Sequence, residues 1–151
     1  MNTVTPLRDA YALSASEPES AMPAPQQGVT IACIDDDEPI RQSMALFLRA
    51  FSYNVETFPS AEAFLAERRP GERYCLILDL NMPQMSGLDL QRRLSEMGER
   101  HPIIFVTAFN EAGARKTALE GGALGFLAKP PNHDELLRLI DIAVREAARG
   151  A

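Results

Sequence analysis

"YCLILDLNMP", residues 74–83, is the stretch from which the architecture can be read. Tyr74 to Leu78 form an unbroken apolar run, as expected of a strand buried on both faces of a parallel sheet. The run stops on a carboxylate, Asp79, and Pro83 follows four positions later. A lone acid at the end of a buried strand is costly unless something meets its charge.

Outward from this strand, the chain alternates from Val29 onward. "VTIACI" (29–34) is apolar and rich in β-branched residues, a second strand. "PIRQSMALFLRAF" (39–51) places Ile40, Met44, Phe47, Leu48 and Phe51 at helical spacing, with Pro39 suited to a first turn. "YNVETF" (53–58) alternates like a strand. "SAEAFLAER" (60–68) reads as a helix capped by Ser60. "SGLDLQRRLSEM" (86–97) sets Leu90, Leu94 and Met97 on one helical face. "PIIFV" (102–106) and "LGFLA" (124–128) read as strands. "EAGARKTALE" (111–120) is a weaker helix ended by Gly121 and Gly122. "HDELLRLIDIAVREAA" (133–148) carries Leu136, Ile140, Ala143 and Val144 as its buried stripe. There is no internal repeat. Five strands alternating with five helices predict an α/β fold with a parallel sheet covered on both faces. Right-handed crossovers make it a doubly wound (βα)5 three-layer sandwich.

Composition narrows the class. A chain of 151 residues suits one domain, and its 46% apolar share can supply a core. A net charge of −6 does not favour direct binding to nucleic acid. No apolar run approaches a membrane span, and no basic-then-apolar leader opens the chain, so a cytoplasmic location is expected. Cys33 and Cys75 fall inside predicted strands and read as small core residues. His101 and His133 read as solvated loop residues. Residues 1–28, with Pro6, Pro18, Pro23 and Pro25 among Ala, Ser and Glu, read as a disordered or flexible tail. Within it "LRDAYAL" (7–13) is weighed as a short helix and as plain leader. Residues 29–151 are the expected folded domain.

In doubly wound sheets the site lies beyond the carboxyl ends of the strands. Those ends are polar here. The first strand runs into Asp35, Asp36, Asp37 and Glu38, the third into Asp79, the fourth into Thr107 and the fifth into Lys129. Taken singly, each has a plain explanation: an acidic helix cap, a loop hydroxyl, a solvated lysine. Together they converge on one sheet edge. Two carboxylates about 5 Å apart repel by roughly 3 kcal/mol at an effective dielectric near 20. Asp35, Asp36 and Asp79 would therefore titrate upward or hold a cation. Hard oxygen ligands with room for water suit Mg²⁺ (or Mn²⁺). Lys129 and Thr107 can each meet a phosphoryl oxygen, which leaves Asp79 as the nucleophile.

"IDDDE", "LILDLNMPQMSG", "VTA" and "GFLAKP", in this order and spacing, resemble the receiver domain of bacterial two-component response regulators over about residues 29–148. The detail is most similar to receivers of the nitrogen-fixation and nitrate-response type. The resemblance implies a flavodoxin-like sheet in the order 2-1-3-4-5. It implies that Asp79 accepts a phosphoryl group from a sensor histidine kinase or phosphotransfer protein. It implies that Asp36, Asp79 and the backbone carbonyl of Asn81 bind the metal directly, with Asp35 acting through water. Thr107 is the expected switch hydroxyl and Phe126 the expected switch aromatic, against a plain core reading of Phe126. The bond between Lys129 and Pro130 is expected to be cis. Asp37 reads only as a helix-start acid.

Two departures stand out. Pro131 follows Pro130 where the family has an apolar or aromatic residue, which stiffens the turn before the last helix. Asn81 and Phe109, each two positions past a site residue, occupy positions that tune phosphoryl lifetime in the family, and a Phe at 109 cannot position an attacking water, so slow self-dephosphorylation is expected. The expected function is a single-domain response regulator with no output domain. It is not an enzyme beyond its own phosphorylation and dephosphorylation. It works as a monomer or phosphorylation-dependent homodimer, and signals through a face around Phe126, Lys116 and Arg138 to an unknown protein partner. A receiver-shaped module that never uses phosphate is the alternative. A phosphohydrolase with an Asp nucleophile would want a second Asp two residues on, where this chain has Asn81.

Overall fold

The computed structural model describes residues 28–108 and 112–149. The tail before Gly28 and the position of Phe109 lie outside the described residues. The strands are β1 (Val29–Ile34), β2 (Asn54–Phe58), β3 (Arg73–Leu78), β4 (Ile103–Thr107) and β5 (Gly125–Ala128). The helices are α1 (Glu38–Ala50), α2 (Ala61–Glu67), α3 (Gly87–Glu96), α4 (Ala112–Glu120) and α5 (His133–Arg149). All pairings are parallel, and the sheet runs β2-β1-β3-β4-β5. The predicted doubly wound sandwich and its 2-1-3-4-5 order are what the chain adopts.

The strands' period of two sorts the core into two layers. Ile31, Cys33, Cys75, Ile77, Ile104 and Val106 face Ala45 and Leu48 of α1 and Leu136, Ile140, Ala143 and Val144 of α5. Ala32, Ile34, Leu76, Leu78, Phe105 and Phe126 face Phe64 of α2, Leu90 and Leu94 of α3 and Ala118 of α4. Burial on both sides is why these strands carry no polar alternation. Both cysteines are buried and free, as read from the sequence.

Helix starts are set locally. Asp37 caps α1, its carboxylate accepting from the Ile40 N–H, and Pro39 sits in the first turn. Ser60 caps α2 as expected. Ser86 and Asp89 form a reciprocal capping box at α3.

Three expectations are corrected. The buried stripe of α1 is Ala45 and Leu48 with Met44 and Phe47 partly covered, while Ile40 and Phe51 are exposed. Met97, expected on the apolar face of α3, is an exposed C-cap residue. His101 is not a solvated loop residue, and His133, exposed as expected, belongs to a helix rather than a loop. The His101 ring packs edge-on against Phe64 and Tyr74 and pairs with Glu99 at 3.1 Å. The His133 ring opens α5 with its centroid 4.3 Å from that of Phe47.

Candidate functional site

The order of the sheet reverses between β1 and β3, so the crevice beyond their carboxyl ends is the expected site. Register places their last residues, Ile34 and Leu78, side by side. The next residues, Asp35 and Asp79, therefore emerge together, and the Asp79 N–H donates to the Ile34 carbonyl at 3.0 Å. On the other flank Thr107 ends β4 and pairs in register with Ala128 of β5. The Lys129 N–H donates to the Thr107 carbonyl at 2.8 Å, which brings the lysine to the same edge. The Lys129–Pro130 bond is cis, as expected.

Lys129 spans the two acids. Its Nζ lies 2.7 Å from Asp35 Oδ2 and 3.5 Å from Asp79 Oδ1. Asp79 is 7% exposed and Thr107 fully buried. Asp35, Asp36 and Asp79 each offer a carboxylate oxygen within 4.8 Å of the others, a donor set fit for a hard divalent cation. Asp36 is the exposed member of the three. The Asn81 carboxamide donates to Thr107 Oγ1 at 3.5 Å, so Asn81 bridges the loop after β3 to the end of β4. Phe126 is buried with its ring 6.0 Å from that of Phe105, so its packing is that of a core side chain.

Burial pushes the Asp79 carboxyl up to about 6, the nearby Asp35 charge pushes the same way, and Lys129 pulls against both. For Lys129 burial acts downward, but the Asp35 hydrogen bond and the charges of Asp79 and Asp35 outweigh it and hold the ammonium above its usual value. A carboxyl raised in the folded state stabilises the fold below its unfolded value near 4, and that contribution is lost as pH rises through about 6. Asp79→Asn removes the penalty. In metal-free buffer at pH 7.5 it should gain on the order of 2 kcal/mol, a rise of several degrees in Tm. The gain should shrink toward zero below about pH 4. Thermal melts across that range check this, and a gain independent of pH would contradict it.

A wide cleft lies elsewhere, at the amino end of the sheet among Arg68, Arg69, Tyr74, Glu99 and His101. Arg68 pairs there with Glu99, and Arg69 with Glu56 and Glu72. With Arg68 and Arg69 already met by carboxylates, it offers no comparable convergence of reactive groups among the described residues.

Residues 31–141 match the response regulator receiver domain. The chain belongs to the response regulator receiver family. Relatives include the response regulator protein TodT of Pseudomonas putida, 39% identical over 117 residues, which are 78% of this chain and 52% of TodT. The transcriptional regulatory protein FixJ of Rhizobium meliloti is 34% identical over 114 residues, 76% of this chain and 56% of FixJ. The receiver thus spans about half the length of the curated relatives it matches. Among solved structures, FixJ-N superposes with a TM-score of 0.73 at 34% identity, covering 79% of this chain and 95% of that one. The response regulator StyR superposes with a TM-score of 0.76 at 37% identity, covering 81% and 62%. Receiver domains are regulatory parts of two-component signalling rather than conventional enzymes. Among the described residues of this receiver, no helix is long and apolar enough to cross a membrane.

One contact at the site was not foreseen. The Arg41 guanidinium donates to the Asp35 backbone carbonyl at 2.7 Å. Its trace in the sequence is a cation four residues into a helix, where the helix dipole disfavours positive charge.

Proposed function

We propose that this receiver is a phosphorylatable switch in a two-component phosphorelay, with Asp79 as acceptor. The observation that carries the reading is one buried carboxylate flanked by Lys129, Thr107, Asp35 and Asp36 at a single sheet edge. A carboxylate oxygen of Asp79 attacks phosphorus, the bond from phosphorus to the donor imidazole nitrogen of a sensor kinase or phosphotransfer protein breaks, and that nitrogen keeps the electron pair. Lys129 and Thr107 meet the phosphoryl oxygens as they gain charge.

Asp36, Asp79 and the Asn81 carbonyl would hold Mg²⁺ or Mn²⁺. Asp35 already accepts from the Asp37 N–H through one oxygen and from Lys129 through the other, which suits it to act through water. When bound, the cation offsets the negative charge of acids and phosphoryl group together.

The phosphoryl group biases an existing two-state equilibrium. Thr107 and Phe126 are the switch pair of this reading, on adjacent strands and two residues apart in register. The surface of β5, α4 and α5 is the readout for a downstream protein or a second copy.

The test is the intact mass of the protein after incubation with a small phosphodonor and Mg²⁺. One added phosphoryl group is expected, absent with chelator and absent in Asp79→Ala. A folded chain that gains nothing under any condition would instead support a phosphate-independent interaction module.

A further inference from the structure

Asp35 is held at every polar atom it has. Its N–H donates to the Phe58 carbonyl at 3.2 Å, and its carboxylate oxygens accept from the Asp37 N–H at 2.9 Å and from Lys129 at 2.7 Å. Its carbonyl accepts from Arg41 at 2.7 Å. Asp36 is the opposite case. It is exposed, and its carboxylate makes no hydrogen bond or ion pair among the described residues. The aim of the Asp36 side chain therefore depends on the backbone that carries it. The Asp35 carbonyl belongs to the peptide plane that enters Asp36, so whatever fixes that carbonyl fixes the direction from which Asp36 leaves the chain.

We infer that Arg41 is a positioning residue for Asp36, acting through the Asp35–Asp36 peptide to hold the Asp36 carboxylate toward Asp79. The local structure supports this. The Arg41 N–H makes an early helical bond of α1, to the Asp37 carbonyl at 2.9 Å. Side chains on a helix lean toward its N-terminus, so the arginine folds back over the acidic turn. A cation there opposes the helix dipole and stands beside a site meant for another cation. On charge alone Arg41 weakens metal binding. Its presence makes sense if the geometry it enforces outweighs that repulsion. Partners that orient a ligand through a hydrogen bond commonly carry such weight.

The inference rests on the proposed metal role of Asp36 and Asp79, and the two ideas separate experimentally because orientation and charge have opposite signs. Binding of Mn²⁺ alone is measured by the loss of the free-ion signal in electron paramagnetic resonance, with circular dichroism as a check on folding. Positioning predicts that Arg41→Met binds Mn²⁺ about tenfold more weakly. Arg41→Lys, which keeps a donor and the charge, should recover part of the loss. In an Asp36→Asn background, Arg41→Met should cost little more, because the side chain it aims has lost its charge. Equal or tighter Mn²⁺ binding by folded Arg41→Met overturns the positioning role while leaving the site intact. A full tenfold loss that persists in Asp36→Asn overturns it too. If Arg41→Met does not fold, Arg41→Gln decides: weaker Mn²⁺ binding than the unaltered protein, although a positive charge has been removed, supports positioning, and equal or tighter binding overturns it. Absence of Mn²⁺ binding by the unaltered protein overturns both this role and the metal site.

Discussion

Lys129→Met is expected to slow phosphoryl uptake from a small phosphodonor by about 100-fold or more, the usual cost of removing a preorganised group that meets developing charge. The lysine is well placed for this. It is 16% exposed at its side chain and reaches Asp35 and Asp79 at 2.7 and 3.5 Å. Its removal also leaves two acids facing each other without a cation. Breaking such a pair costs about 3 kcal/mol when the remaining charges cannot relax. Here one of them can. Asp79 already sits near 6 because of burial and Asp35, and Lys129 is what restrains it. Without the lysine its folded value climbs further, and the carboxyl takes up a proton. The stability deficit should therefore be small at pH 5 and large at pH 8. Initial rates by intact mass, together with urea melts at the two pH values, check both halves. A rate within threefold of the unaltered protein would remove Lys129 from the chemistry. A deficit equal at both pH values would mean that Asp79 does not absorb the change.

Gly87→Ala is expected to be the most destabilising single methyl near the site. A Cβ at Gly87 would lie 2.5 Å from the Asp79 carbonyl oxygen, 2.9 Å from the Phe105 ring and 3.1 Å from the Leu80 Cα. Two of these neighbours are backbone, and the Gly87 N–H already donates to the Leu80 carbonyl at 2.9 Å. Neither the start of α3 nor the exit of β3 can yield without moving the other. The expected loss is about 3 kcal/mol, at the upper end for overpacking, or a Tm lower by roughly 10 °C or more. The loop that carries Asn81 starts at this contact, so phosphoryl uptake at low temperature, where the variant is folded, should fall as well. A melt within two degrees of the unaltered protein would show that the segment has more give than its contacts indicate.

Much of the fold was legible because the strands state their surroundings plainly. Leu76, Ile77 and Leu78 send alternate side chains to two separate core layers, and a run apolar at every position fits only that arrangement. Helix starts were legible where one side chain makes the cap, as at Ser60 and Asp37. The convergence of Asp35, Asp79, Thr107 and Lys129 was legible because four strand ends must share one edge in a doubly wound sheet. What escaped depended on contacts without a period. Ile40 and Phe51 fit the helical spacing of α1, yet they fall at its ends, beyond the part the sheet covers. His101 sits in the loop before β4, and only the folded chain brings Phe64 and Tyr74 around it. The bond from Arg41 to a backbone carbonyl leaves a cation early in α1 as its one trace, and the sequence does not name the acceptor, since any residue supplies a carbonyl.

The pair Lys129 and Asp35 joins positions 94 residues apart, across nearly the whole sheet sequence from β1 to the end of β5. During synthesis Asp35, Asp36 and Asp79 leave the ribosome first, and Lys129 emerges only after all five strands. Until β5 has docked against β4, Asp79 lacks the ammonium that restrains its protonation. A receiver that lacks β5 is therefore expected to take up phosphoryl groups as slowly as Lys129→Met, because the last part of the sheet edge to arrive is the one that carries the cation.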